Sequence, residues 1–320
     1  MLLDSLNERL EKKRGKSGGY PEDMHYKITK KTDETFELCI EDSKKGDDLW
    51  KKVDPWSFAV FDEVHKKLAP LGLGLHFAMS VPSSKNGPKY EALKRRLSYL
   101  AEVNKGIPIA LSKGGQKDCL YTMPDLNKRP ENEVVRDGFG ERSDDDKPRR
   151  LEKDFQTYLF GKGLHGDSTN GVRTNERLAL FGKDFFNGSK KVAREWPTGV
   201  FRGEKKEENR ILPTELIDLV TINKHNEIAL LELKFLRKEG LAKLEDISQL
   251  LNYALFFHSY KARLAPLLDT HVHSGSANFG VRAYLASNTF HSRFDSVWPY
   301  YSRGPIIPMQ QIVMGYTPDK

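Results

Sequence analysis

IDLVTINKHNEIALLELKF, residues 217–235, reads as two apolar strands around the short turn formed by Lys224, His225 and Asn226. Asn tolerates the left-handed backbone that a three-residue hairpin loop wants at its last position. If Asn223 pairs with Glu227, the register carries Asp218 to a place opposite Glu232. Directly opposed residues share a face, with Cβ atoms about 4.5–5.5 Å apart. Glu232 and Lys234, two apart on one strand, share that face as well. Two acids and an ammonium are therefore expected to converge on an otherwise apolar sheet.

Neighbouring carboxylates repel each other, and burying them is costly. A hard divalent cation removes both penalties. Mg²⁺ takes oxygen ligands and often uses one or two carboxylates together with waters and a phosphate. A charged lysine cannot ligate the ion. It can orient or help deprotonate a metal-bound water, and it can stabilise charge developing on a phosphate.

Asp218 followed by Glu232-Leu233-Lys234 resembles the hairpin signature of the PD-(D/E)XK nuclease superfamily. After the hairpin, Gln249-Leu250-Leu251-Asn252-Tyr253 resembles the Q-x-x-x-Y motif of its RecB-type members. Positions i and i+4 share a helical face, so both side chains can point one way. Before the hairpin, Glu152 in LEKDFQTYLF resembles the acid on the superfamily's first core helix. It flanks an apolar stripe of Leu151, Phe155, Tyr158 and Leu159, with Asp154 further off and Glu176 as the fallback. The residue before Asp218 is Ile217, where the motif's spelling has Pro.

The resemblance implies a restriction-endonuclease-like α/β fold, a mixed central sheet flanked by helices. It implies Mg²⁺ or Mn²⁺ held by Asp218, Glu232, the Leu233 carbonyl and Glu152. Lys234 would work on the attacking water, with Gln249 and Tyr253 supporting the phosphate or the metal's water shell. The implied activity is phosphodiester hydrolysis, in DNA before RNA, in repair, restriction or defence. The rival reading is a nucleic-acid-binding protein with this fold and no cleavage. An edge strand with alternating charges, or a helix with one buried Tyr and one exposed Gln, would show the same local pattern.

Around this core the chain reads as residues 1–125, a smaller α+β domain; 126–150, a charged linker rich in Pro and Gly; and 151–320, the nuclease-like domain. In the first part, a hairpin turns near Thr32 and Asp33, and helices are expected from Pro55 to before Gly72 and over KYEALKRRLSYLAEV. LHFAMSVP, IPIALSK and CLYTMP read as strands. In the second, TGVFR, FGVRAYLAS and QQIVMGY read as strands, and GLAKLEDISQLLNYALFFHSYKARL as a long amphipathic helix.

The 320 residues carry a formal net charge of +7, a mild push toward a polyanionic partner. GSKKVAREW offers Lys190, Lys191 and Arg194 for a nucleic-acid backbone, and LKRRLSY offers another basic face; a solvated charged surface is the equal alternative. THVHSG could pair His271 and His273 on a metal, but a polar loop is the simpler reading. The two cysteines, Cys39 and Cys119, suit a reducing cytoplasm. The charged start and the lack of a membrane-length apolar run argue against export and membrane insertion. Oligomeric state stays open, a homodimer being one option.

Overall fold

The computed structural model describes residues 2–16, 18–42, 49–81, 87–127, 133–135, 156, 159, 173–174, 176–182, 191–234, 241–268 and 279–314. It is a mixed α/β protein with two mixed sheets. The chain forms two compact units. The first comprises Met1–Leu126, Leu244–Gln249 and Ser292–Arg303; the second comprises Asn127–Lys243, Leu250–His291 and Gly304–Lys320.

In the first unit, helix α1 (Leu2–Lys13) precedes a five-stranded sheet in the order β1 (Met24–Lys30), β2 (Thr35–Asp42), β3 (Gly74–Val81), β4 (Ile109–Lys113), β5 (Gln116–Asp118). The β1–β2 hairpin is antiparallel and turns through residues 31–34, as the sequence suggests. β2, β3 and β4 run parallel, which requires crossovers. Helices α2 (Leu49–Leu68) and α3 (Pro88–Val103) supply them. Strict alternation buries Leu75, Phe77, Met79 and Val81 on one face of β3, and Phe58 of α2 stacks on Phe77 at 5.3 Å.

α2 begins at Leu49, not near Pro55, which sits inside it. Proline removes one helical N–H, but the turn before it is held by buried Trp50, Val53 and Asp54. A 3-10 turn (Ala69–Leu71) follows, and Gly72 ends it at φ 72°. CLYTMP is not a strand: Met123–Asn127 forms the short helix α4. Its start carries a capping signature, with Thr122 Oγ1 accepting from the Asp125 N–H at 3.3 Å and bonded to Asp125 Oδ2 at 2.6 Å.

The basic face of α3 is engaged within the unit. Lys94 pairs with Asp118 at 2.8 Å, and Arg95 donates to the Leu126 carbonyl at 3.2 Å. Arg96 has no exposure and grips Asp54, equally buried, at 2.7 Å. Asp54 Oδ2 also accepts from Ser248 Oγ and Tyr301 Oη, each at 2.7 Å. This one carboxylate therefore ties α2 and α3 to two segments far along the chain, the first turns of α5 (Leu244–Leu268) and helix α6 (Phe294–Ser302). A second anchor is Glu63, which accepts from Lys13 at 2.7 Å, Arg9 at 3.0 Å, Tyr20 at 2.5 Å and Arg293 at 3.4 Å.

In the second unit the sheet order is β14 (Met309–Val313), β12 (Gly280–Ser287), β10 (Glu227–Lys234), β9 (Arg210–Ile222), β8 (Lys191–Arg202), β6 (Glu133–Val135), with β7 (Arg173–Thr174) also paired to β8. β8, β9 and β10 are successive antiparallel neighbours. β12 and β14 lie parallel to β10 on its other side, and α5 links β10 to β12. Leu241–Ala242 and Thr289–Phe290 make a separate two-stranded pair, β11 and β13. Within the stretch read as linker, β6 pairs antiparallel with β8. The short TGVFR strand is the end of a twelve-residue β8 that takes in Ala193, Arg194 and buried Trp196. Pro197 and Gly199 disguise it in the sequence. The strand absorbs them with Glu195 at φ 50° and with register shifts between Thr198 and Phe201. No helix among the described residues is long and apolar enough to cross a membrane.

Arg96→Met should destabilise the protein by about 3–5 kcal/mol in urea denaturation, because it strands a buried carboxylate, and adding Asp54→Asn should recover much of that loss. A pH series tests the second anchor. Burial would raise the Glu63 carboxyl, but hydrogen bonds from Lys13 and Tyr20 and the charges of Lys13 and Arg9 outweigh it and bring it down to about 2, from 4.5. A depressed carboxyl stabilises above its unfolded value and loses that contribution as pH falls through the folded one. The melting-temperature advantage of wild type over Glu63→Gln should therefore be full at pH 6 and shrink steadily between about pH 4.5 and pH 2.

Candidate functional site

The hairpin turn is built as its residues suggest. The Asn223 N–H donates to the Glu227 carbonyl at 2.9 Å, and Asn226 adopts φ 56°. Asn223, fully buried, does more. Its Oδ1 accepts from the N–H of His225 and of Glu227, and its Nδ2 donates to Glu227 Oε2 at 2.7 Å. Arg282 of β12 closes on the same Glu227 at 2.6 Å. Burial pushes the Glu227 carboxyl up, and hydrogen bonds from Arg282 and Asn223 more than reverse this, leaving it below its ordinary value.

From that turn the pairing runs from Ile222–Ile228 to Leu219–Leu231, and one further step brings Asp218 opposite Glu232. In an antiparallel ladder, alternate pairs exchange both backbone bonds. Starting at Asn223–Glu227, the series reaches Leu219–Leu231 and would next reach Ile217–Leu233. There the ladder gives way. The Leu233 N–H donates to Asp218 Oδ2 at 2.7 Å. The carboxylate thus seats against the backbone between Glu232 and Lys234. Lys234 Nζ donates to Glu232 Oε1 at 2.7 Å, and the Lys234 carbonyl accepts from Ser287 Oγ of β12 at 3.0 Å.

The two faces of β10 divide the labour. Ala229, Leu231 and Leu233 join Leu219, Val192, Leu159, Leu178 and Phe181 in one apolar cluster. Glu232 and Lys234 point to the other face. Glu232 is 2% exposed; Asp218 and Lys234 are half-buried. The trio carries a formal charge of minus one at neutral pH, all of it on hard oxygen donors, which suits a divalent cation. Among the described residues, no group of three or more His, Cys, Asp or Glu stands ready to hold a metal. A third acid would have to come from outside them. Glu152 lies outside, as do Lys190, His271 and His273, and the side chains of Glu176 and Lys191 are likewise not described.

Tyr253 of α5 is fully buried, and its hydroxyl donates to the Leu216 carbonyl at 2.8 Å, two residues before Asp218. It braces β9 beside the site. Gln249 is half-buried in the part of α5 that belongs to the first unit, whereas Tyr253 belongs to the second. Arg194 of β8 is half-buried opposite Leu219. His225 is an exposed turn residue.

Sequence reasoning passed over Gln156. It is 4% exposed, and its Nε2 donates to the Asp218 carbonyl at 3.0 Å and to Asp218 Oδ1 at 3.3 Å. Gln156 and Leu159 are both helical, and three residues apart they share a face. The available signal was spacing: Gln156 lies four residues after Glu152 in a stretch the sequence reads as a helix.

Compared with protein-family models, curated proteins and solved structures, the chain matches none.

Asp218→Ala removes the acceptor of the Leu233 N–H. Amide exchange followed by NMR should quicken at Leu233 and stay slow at Leu231, with a stability cost of about 1–3 kcal/mol. Asp218→Asn, which keeps an acceptor oxygen, should show a smaller effect at both readouts.

Proposed function

We propose that the protein is a Mg²⁺- or Mn²⁺-dependent nuclease of the PD-(D/E)XK type, acting on DNA. The observation that carries this reading is the seat of the Asp218 carboxylate on the Leu233 N–H, between Glu232 and the Lys234 paired with it. A merely solvated hairpin has no reason to interrupt its ladder for an acid, nor to bury Glu232. The sheet around it supports the same reading. It is mixed, its three antiparallel strands β8, β9 and β10 are followed by α5, and β12 then returns parallel to β10.

In this reading Asp218 and Glu232 hold the cation, with the Leu233 carbonyl and Glu152. The ion would polarise the scissile phosphate and acidify an attacking water. Lys234 has two tasks. Its ammonium offsets Glu232, and a change of partner lets it donate to a phosphate oxygen as charge develops there. Tyr253 keeps β9 in place through Leu216. The first unit serves substrate or partner recognition. Its α3 cations are engaged internally, so that role falls to other surfaces.

Plasmid and linear DNA incubated with Mg²⁺ or Mn²⁺ test the proposal. Wild type should cut. Asp218→Ala should abolish cleavage, and Lys234→Ala should slow it by about 10²–10³-fold. Variants that digest as well as wild type would remove the assigned site. If none cuts but all bind DNA with a steep salt dependence, the protein is a non-cleaving nucleic-acid binder.

A further inference from the structure

Gln156 is a neutral amide buried beside an apolar cluster, aimed at one residue. The two groups it is bonded to, the Asp218 carbonyl and the Asp218 carboxylate, are acceptors. An amide oxygen facing them would repel, so the NH₂ end must be the one turned inward. Its two N–H bonds can serve the two acceptors separately. Asp218 then has a donor at each carboxylate oxygen, Gln156 at Oδ1 and the Leu233 N–H at Oδ2. Neither donor carries a formal charge. The carboxylate is held at both ends by neutral groups, and Glu232 faces the Lys234 ammonium directly.

We propose that Gln156 is a positioning residue that fixes the Asp218 carboxylate in the orientation that receives a divalent cation. The inference rests on the metal-site reading above. Partners of this kind orient a ligand and raise its affinity, and their loss weakens metal binding by about 10–100-fold. Gln156 also holds the Asp218 backbone, so it sets the position of the residue as well as the direction of its side chain.

The test is Mn²⁺ binding to the full chain, read by electron paramagnetic resonance, with circular dichroism showing that each variant is folded at the titration temperature. Gln156→Leu keeps the bulk and loses the donors; Gln156→Met, unbranched and closer in shape, replaces it if it does not fold. Wild type should bind Mn²⁺ and Asp218→Ala should not. The Gln156 variant should bind about 10–100-fold more weakly. Its cleavage rate at saturating Mn²⁺ should fall far less than its apparent affinity. Wild-type affinity in the Gln156 variant, with Asp218→Ala still inactive in binding, would overturn the role of Gln156 alone. No Mn²⁺ binding by wild type, or binding indifferent to Asp218→Ala, would overturn the metal site and this inference together.

Discussion

The turn from Asn223 to Glu227 is the constraint on which the second unit depends. A strand places side chains on alternate faces, so a slip of one residue would send every apolar residue of β10 to the wrong side. Asn223 prevents that slip with its backbone bond to Glu227, its side-chain bonds to His225 and Glu227, and the left-handed Asn226 that closes the loop. Once this register is set, Leu231 and Leu233 must enter the apolar cluster and Glu232 and Lys234 must leave it. The same register brings Asp218 to the level of Glu232, at the point where the two strands stop pairing. Position and chemistry of the candidate site thus descend from a loop at the far end of the hairpin.

The protein handles buried acids in two contrasting ways. Asp54, in the first unit, is matched one for one by Arg96, and Ser248 and Tyr301 take further lone pairs. A buried ion pair with its hydrogen bonds complete is costly to break and has little left to offer a ligand. Glu232 faces the Lys234 ammonium, and the Asp218 carboxylate accepts from the neutral Gln156 amide and the Leu233 N–H. The kind of donor thus differs between the Asp54 and Asp218 carboxylates, a buried guanidinium for the first and neutral N–H groups for the second.

Features governed by near neighbours were legible. The β1–β2 and β9–β10 hairpins, the extent of α3 and the alternation along β3 all arise from periodicity and turn chemistry within a few residues. Features that depend on distant partners were not. Arg96 looks like one of three surface cations on a helix, and the buried Asp54, 42 residues away, with Trp50 makes it a core residue. Tyr253 offers a hydroxyl, and its bond to the Leu216 carbonyl, 37 residues away, depends on the folded chain. β8 hides behind Pro197 and Gly199 because its irregular pairing with β9 tolerates what a regular strand would refuse.

The amino-acid sequence by itself therefore determined the hairpin, its register, and the placing of Asp218, Glu232 and Lys234 at one level of a sheet. Those follow from a period of two and a three-residue turn, both local. Tertiary structure alone decided that the ladder ends at Leu219–Leu231, that Gln156 and the Leu233 N–H share the Asp218 carboxylate, and that segments near Ser248 and Tyr301 belong with Asp54. The physical reason is the same in each case. A buried oxygen must find its donors wherever the folded chain brings them, and the distance along the sequence does not enter that balance.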